Sequence, residues 1–219
     1  MINLKEVTKV YQNEGISVRA VDGVNLNVEA GEMVFIVGRS GSGKTTLLSL
    51  IGGLTKPTAG NILIDGVEMK SLNDKKLSAL RNKKIGFIFQ FASLIPTLNA
   101  IDNVRLPMIF GEECHGDYEH AKRLLEKVGL SDKMMSYPSQ LSGGEQRRVV
   151  IARSLMNNPE IILADEPTGD LDEETEKKIM QLFKEINKEG TTFLIVTHLS
   201  LLYAESLYRM SKGTLTQVK

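Results

Sequence analysis

Apolar positions in this chain fall into short unbroken runs separated by stretches of helical spacing. Met33 to Val37, Ile161 to Ala164 and Thr192 to Thr197 are continuous apolar or β-branched runs, the form taken by strands buried on both faces. Ile62 to Ile64, closed by Asp65-Gly66, and Ile85 to Phe89 read as two more strands. The first thirty residues read as short β segments: Leu4, Val7 and Val10, then Val18 to Val21 and Val24 to Val28 around the turn-formers Asp22-Gly23. Helical spacing appears in Lys44 to Ile51, which stops at Gly52-Gly53, and from Phe91 to about Met156. Within that middle stretch Ala121, Leu124, Leu125 and Val128 recur one helical turn apart before Gly129, and a helix over Gln146 to Met156 ends at Asn158-Pro159. In Glu173 to Glu189, Ile179, Leu182, Phe183 and Ile186 share one face ahead of Gly190. Strands alternating with helices predict an α/β fold with a mostly parallel sheet covered on both faces, and a helical middle inserted between two parts of it.

Composition narrows the classes. The 219 residues suit one large domain, and 42% hydrophobic with 25% charged residues excludes a disordered or collagen-like chain. The 27 basic and 27 acidic residues cancel, so no global field draws the chain to nucleic acid or an anionic membrane. No apolar stretch approaches the roughly 20 residues that span a bilayer, and Met1 to Glu6 lacks the apolar run of a secretory signal. The single cysteine, Cys114, forms no internal disulfide, which favours a reducing, cytosolic setting. Work at a membrane would then proceed through a partner.

The chemistry concentrates in three places. Gly38-Arg39-Ser40-Gly41-Ser42-Gly43-Lys44-Thr45 is a complete phosphate-loop pattern with a buried strand before it and a helix after it. Its glycines let backbone amides curl around phosphate oxygens, and the helix start adds free N–H groups and a positive dipole end. Lys44 would reach the β- and γ-phosphates and the Thr45 hydroxyl would ligate Mg²⁺. Asp165 ends the run Ile161 to Ala164, where the nucleotide–metal site of an open α/β sheet lies, and would hold Mg²⁺. Glu166 follows and can serve as general base toward water, unless the two carboxylates merely cap a strand in solvent. Leu141-Ser142-Gly143-Gly144-Glu145 is a small-residue turn opening a helix. It is either a simple Ser142 cap or a second anion-binding helix start, which would grip another molecule's nucleotide.

With these motifs the chain resembles the ATPase subunit of an ATP-binding-cassette transporter over essentially its whole length. The marks are Gly38 to Thr45, Gln90, Leu141 to Glu145, Ile161 to Glu166, Gly169-Asp170-Leu171-Asp172 and His198, in that family's order. Ala100 to Pro107 is similar to the macrolide-export, lipoprotein-release and FtsE-like branch. The resemblance implies a P-loop NTPase core over about 1–90 and 157–219, with an N-terminal antiparallel β subdomain and an inserted α-helical subdomain over about 91–156. It implies that Tyr11 stacks on adenine, that Arg39, Ser40 and Thr46 join the phosphate loop around ATP, and that Gln90 contacts Mg²⁺ or the attacking water. It implies further that His198 sits near the γ-phosphate, that Asp172 belongs to the dimer-contact loop, and that Ser142, Gly143 and Gly144 close over ATP from the opposite subunit. Tyr11 as an ordinary strand tyrosine and Gln90 as a polar strand end remain alternatives.

The chain departs from that family at three points. Leu199 follows His198 where Asp is usual, Arg39 stands where Pro is usual, and Arg209-Met210-Ser211-Lys212-Gly213 is a loose form of the closing strand and turn. Glu112, Glu113, Cys114, His115, Asp117 and His120 carry metal-ligand side chains in no common zinc spacing, and read as a solvated loop. The expectation is a Mg²⁺-dependent ATPase that forms a homodimer on binding ATP and drives a transmembrane permease subunit. It would be cytoplasmic and peripheral on the inner membrane face, with no nucleic-acid partner. A mechanotransmission role toward cell-wall hydrolases or a sensor kinase, or action on DNA or the ribosome, are the alternatives. The expected docking surface is the groove near Phe91 to Pro96 and the helical segment around Leu106 to Phe110, with Leu94 and Met108 among its apolar residues.

Overall fold

A computed structural model describes residues 1–13, 15–109, 117–169, 171–198 and 206–219. Phe110, the Glu112 to Gly116 cluster with Cys114, Asp170 and Leu199 therefore lie outside the described residues. In chain order the elements are β1 (Ile2–Asn13), β2 (Ile16–Val28), β3 (Met33–Val37), α1 (Lys44–Ile51), β4 (Ala59–Ile64), β5 (Val67–Glu68), α2 (Asp74–Lys84) and β6 (Ile85–Ile88). Then follow α3 (Ala100–Ile109), α4 (Tyr118–Lys127), α5 (Gly143–Leu155), β7 (Ile161–Asp165), α6 (Glu173–Lys188), β8 (Thr192–Thr197), β9 (Ser206–Ser211) and β10 (Thr214–Gln217).

Two sheets form. One is antiparallel, in the order β2-β1-β4-β5; the other runs β10-β9-β3-β8-β7-β6 and is parallel except at β10. The parallel strands are buried on both faces, as their unbroken apolar runs require. Val34, Ile36, Leu163, Leu194 and Val196 face one core with Leu47, Leu50 and Ile51 of α1 and the inner face of the antiparallel sheet. Phe35, Ile162, Ala164, Phe193 and Ile195 face the other, built from α3, α4, α5 and α6. The alternation is the period of two that a strand imposes. Phe183 of α6 meets Phe193 with ring centroids 5.1 Å apart.

The structure corrects three sequence expectations. Asp22-Gly23 does not separate two strands: it is a bulge inside β2, where the two residues Asp22 and Gly23 stand opposite the single Thr8 between the pairs Val7 with Val24 and Lys9 with Val21, with Gly23 at φ 57°. Helix α2 has no counterpart in the hydrophobic pattern because only Leu77 is buried; its start is marked instead by Asn73, whose side chain accepts the Lys76 N–H at 2.9 Å. Helix α5 begins at Gly143, three residues before the expected start, because Ser142 and Glu145 form a reciprocal capping box. Among the described residues no helix is long and apolar enough to cross a membrane.

Asp65 opens the tight turn into β5, and Lys84 at the end of α2 bonds its carboxylate while lying 3.2 Å from Glu160. That hydrogen bond from Lys84 holds the Asp65 carboxyl below its ordinary value, against the opposing effect of burial. A depressed folded-state value contributes stability above the unfolded pKa and loses it as pH falls. Asp65→Asn keeps a residue that tolerates the turn's positive φ. It is expected to cost up to about 1 kcal/mol at pH 7, with the gap to the parent closing below about pH 4. Urea melts at a series of pH values measure this; a pH-independent gap would assign the cost to the turn.

Candidate active site

The parallel register sets the site. Val37 pairs with Thr197 and Asp165 with Val196, so β3, β7 and β8 end at one edge of the sheet, with β6 ending beside them where Ile88 pairs with Ala164. The phosphate loop, Asp165-Glu166, His198 and Gln90 all emerge there, at the carboxyl ends where open α/β sheets bind ligands. They line a cavity of about 700 Å³ that contains Arg39 to Thr46, Gln90, Asp165, Glu166 and His198, together with Val18, Arg19, Ala20, Lys212 and Gly213.

Glycine is sterically required at two loop positions. A Cβ on Gly38 would stand 2.3 Å from the Met210 carbonyl oxygen. Gly43, at φ 108°, would place one 2.1 Å from the carbonyl oxygen of Ala20. Gly43 is also the N-cap of α1 and gives no side-chain cap, which leaves the first-turn N–H groups for a ligand. The Ser42 hydroxyl is buried inside the same loop with no hydrogen-bond partner among the described residues. An unpaired buried donor beside free helix amides fits an anion such as a phosphate tail.

Three charges are buried together: Lys44 and Asp165 at 7% exposure and Glu166 at 8%. Lys44 Nζ donates to the Gly38 carbonyl at 2.8 Å and lies 3.7 Å from Glu166 Oε1. Glu166 Oε2 accepts the His198 backbone N–H at 3.1 Å and lies 2.8 Å from His198 Nδ1. The Glu166 backbone takes φ 45°, a strained position for a side-chain-bearing residue, and its N–H donates to the Val196 carbonyl at 2.9 Å. Burial pushes the Asp165 carboxyl up, with the Glu166 charge adding to the rise; the Thr45 hydrogen bond and Lys44 oppose it. Hydroxyl, carboxylate and amide oxygens from Thr45, Asp165 and Gln90 are the hard donors that suit Mg²⁺. Among the described residues no group of three His, Cys, Asp or Glu could enclose a metal alone, so phosphate oxygens would complete its shell.

The remaining expected residues lie elsewhere. Tyr11 is 44% exposed, pairs with Val18 across the hairpin and carries Lys9 Nζ 5.0 Å over its ring. Val18 lines the cavity and Tyr11 does not. Ser142 caps α5: its hydroxyl accepts the Glu145 N–H at 3.3 Å, and Glu145 accepts the Ser142 N–H at 2.7 Å, which holds the Glu145 carboxyl low. The Ser142 O–H remains able to donate. Asp172 caps α6, accepting the Thr175 hydroxyl at 2.6 Å and the Thr175 N–H at 2.9 Å, and these two bonds lower its pKa. A Cβ on Gly144 would stand 3.1 Å from Thr175, so the starts of α5 and α6 are neighbours. Ser142, Gly143, Gly144 and Asp172 are absent from the lining of the phosphate cavity.

Two arginines were not anticipated from sequence. Arg147, 5% exposed, donates to the Phe89 carbonyl at 2.5 Å and to that of Gln90. Arg153 donates to the carbonyls of Ser93 at 3.0 Å and Ala92 at 3.1 Å, and burial lowers its pKa. The signal was periodicity: Arg147 shares the buried face of Val150, Ile151 and Ser154, where a charge needs partners. Leu94 and Met108, expected to offer the docking surface, are half-buried and packed against the helical core.

The family model described as ABC transporter matches residues 21–169. The chain is 45% identical to a lipoprotein-releasing system ATP-binding protein, LolD, of Idiomarina loihiensis, over 96% of this chain and 92% of that one. It is 44% identical to a macrolide export ATP-binding/permease protein, MacB, of Rhodopirellula baltica, over 99% of this chain and 33% of that one. Among solved structures, the ATP-binding cassette MJ0796, from Methanocaldococcus jannaschii, is similar. A dimeric post-hydrolysis state bound to ADP and Pi superposes with TM-score 0.92 at 43% identity, covering 100% of this chain and 98% of that one.

Gly43→Ala is expected to destabilise the fold by about 2–3 kcal/mol, since a strained φ and a clash with the Ala20 carbonyl act together. Urea unfolding at equilibrium measures the loss; a change under about 0.5 kcal/mol would mean that the loop and β2 separate readily.

Proposed function

The chain belongs to the ABC transporter ATP-binding family, and from that premise we propose that it binds and hydrolyses ATP in this cavity, dimerises around two ATP and powers a transmembrane permease. The observation that carries the reading is the juxtaposition of Lys44, Thr45, Asp165, Glu166 and His198 at one sheet edge. The roles for which the relatives are named, lipoprotein release and macrolide export, support an export or extraction role at a membrane.

Each residue has a defined task. Loop amides and the α1 N-terminus hold the phosphates, and Lys44 adds a point cation to them. Mg²⁺, when bound through Thr45, Asp165 and Gln90, neutralises phosphate charge. Glu166 accepts a proton from the attacking water, and His198 beside Oε2 keeps that carboxylate oriented. The water oxygen bonds to the γ-phosphorus as the bond to the ADP oxygen breaks, giving ADP and phosphate. Ser142 to Gly144 stand outside the cavity of their own chain, which supports a second copy presenting them to this one.

A groove of about 460 Å³ runs between Leu54, Phe87, Phe89 and Pro107, rimmed by Arg81 and Arg153. Leu54 and Phe89 are exposed and lie against no described segment that buries them. This face, which includes Pro107 of the expected segment but neither Leu94 nor Met108, is where a permease segment would dock.

Glu166→Gln is expected to keep ATP binding and slow hydrolysis by about 10²- to 10⁴-fold. Light scattering on that variant is expected to show monomer converting to dimer when ATP is added. Turnover within a few-fold of the parent would remove Glu166 as the base, and an unchanged mass would remove the two-ATP dimer for the isolated subunit. Leu54→Glu is expected to abolish co-purification with the membrane partner while the isolated subunit still binds ATP. Retained co-purification would place docking elsewhere.

A further inference from the structure

The closing hairpin offers a feature that the family motifs do not use. β9 and β10 are joined by the two residues Lys212-Gly213, because Ser211 pairs directly with Thr214. Both turn residues have positive φ, 48° at Lys212 and 84° at Gly213. A turn of this form suits Asn-Gly or Asp-Gly, whose short first side chain tolerates the left-handed region; lysine has no such advantage.

The turn is anchored against the phosphate loop. The Gly213 N–H donates to the Ser42 carbonyl at 3.0 Å, and the Asp22 N–H donates to the Gly213 carbonyl at 2.9 Å. A Cβ on Gly213 would stand 3.2 Å from the carbonyl oxygens of Arg19 and Ala20. Lys212 is thereby placed in the lining of the same cavity as Lys44, Thr45, Asp165 and Glu166. The other cations there differ in their commitments. Lys44 is engaged with loop carbonyls and Glu166, Arg19 pairs with Asp22 at 3.0 Å, and Arg39 is part of the phosphate loop itself. Lys212 is exposed, and no hydrogen bond or ion pair of its ammonium is found among the described residues.

We propose that Lys212 is a nucleotide-binding residue, contributed by the C-terminal hairpin, whose ammonium contacts the phosphate tail of a nucleoside triphosphate in this cavity. The proposal rests on the reading of the cavity as the ATP site. Two short hydrogen-bonded anchors hold the turn, so the lysine's stem starts from a fixed point beside the loop. A polyphosphate carries several charges, so one cation at the rim attracts it even though the chain as a whole is neutral.

Lys212→Asn removes the charge and improves the turn, so its two effects have opposite signs. Titration calorimetry with ATP is run on the full chain at ionic strengths of about 0.01 M and about 1 M, where the screening length is about 30 Å and about 3 Å. Lys212→Asn is expected to raise the Kd about threefold to tenfold at low salt and under about twofold at high salt. Its thermal midpoint should equal or exceed the parent's, and Lys212→Arg should bind within about twofold of the parent. Equal ATP affinity of Lys212→Asn and parent at low salt overturns the proposal. So does an affinity loss that comes with a lower midpoint and is not rescued by Arg, since that marks a structural lysine. Lys44→Ala serves as the control. If it weakens ATP binding while Lys212→Asn does not, this proposal alone falls. If Lys44→Ala and the parent bind alike, the reading of the cavity falls with it.

Discussion

The parallel register of β3, β7 and β8 brings Val37 level with Thr197 and Asp165 level with Val196. Three segments far apart in the chain therefore deliver their first non-strand residues to one small volume. Parallel strands have to be buried on both faces, and the two cores supply that cover: α1 and the antiparallel sheet on one side, the four later helices on the other. The cover and the site are one requirement. A helix removed from either face would expose the strands whose alignment sets the distance between Lys44 and Glu166.

At that edge the backbone and the charges are both under load. Glu166 extends the ladder by one hydrogen bond to Val196 and then turns through a positive φ, which aims its carboxylate back toward Lys44 and His198. Burying charges is costly unless they are paired. Lys44 and Glu166 offset one another, whereas Asp165 faces burial and the Glu166 charge with only Thr45 and Lys44 in its favour. Two buried carboxylates and one buried lysine leave a local excess of negative charge. A hard cation would relieve it, and phosphates brought with that cation would find the unpaired Ser42 hydroxyl and the uncapped start of α1.

The parts legible in the sequence are those where one physical cause acts alone. Met33 to Val37 and Ile161 to Ala164 declare themselves because double-sided burial excludes polar residues, and Lys44 to Ile51 is found to the residue because glycines bound it on both sides. Helix α2 was hidden because a surface helix with one buried side chain leaves almost no periodic trace. The β2 bulge was misread because Asp-Gly signals a positive φ without saying whether the chain turns or only slips register. Arg147 and the placement of the Lys212-Gly213 turn were missed for a shared reason: the groups that fix them, the carbonyls of Phe89 and Gln90 for Arg147 and the Ser42 carbonyl for the Gly213 N–H, are distant in sequence and carry no side-chain identity.

Those backbone-directed contacts also determine which pieces move together. Helix α5 starts at the Ser142 turn and, further along, holds the carbonyls of Phe89, Gln90, Ala92 and Ser93 through the buried Arg147 and the half-buried Arg153. Charged hydrogen bonds of this kind are the strong ones, and breaking those of Arg147 would remove acceptors from a buried guanidinium, which is costly. Shifting the Ser142 turn therefore carries the loop bearing Gln90 with it more readily than it stretches the clamp. Ser142 faces away from the phosphate cavity of its own chain, while Gln90 lines that cavity. Phe89 and Arg153 also line the apolar groove on the neighbouring face. One rigid element thus spans three surfaces: the turn that a second copy would use, the residue that the chain's own site uses, and the groove suited to a membrane partner.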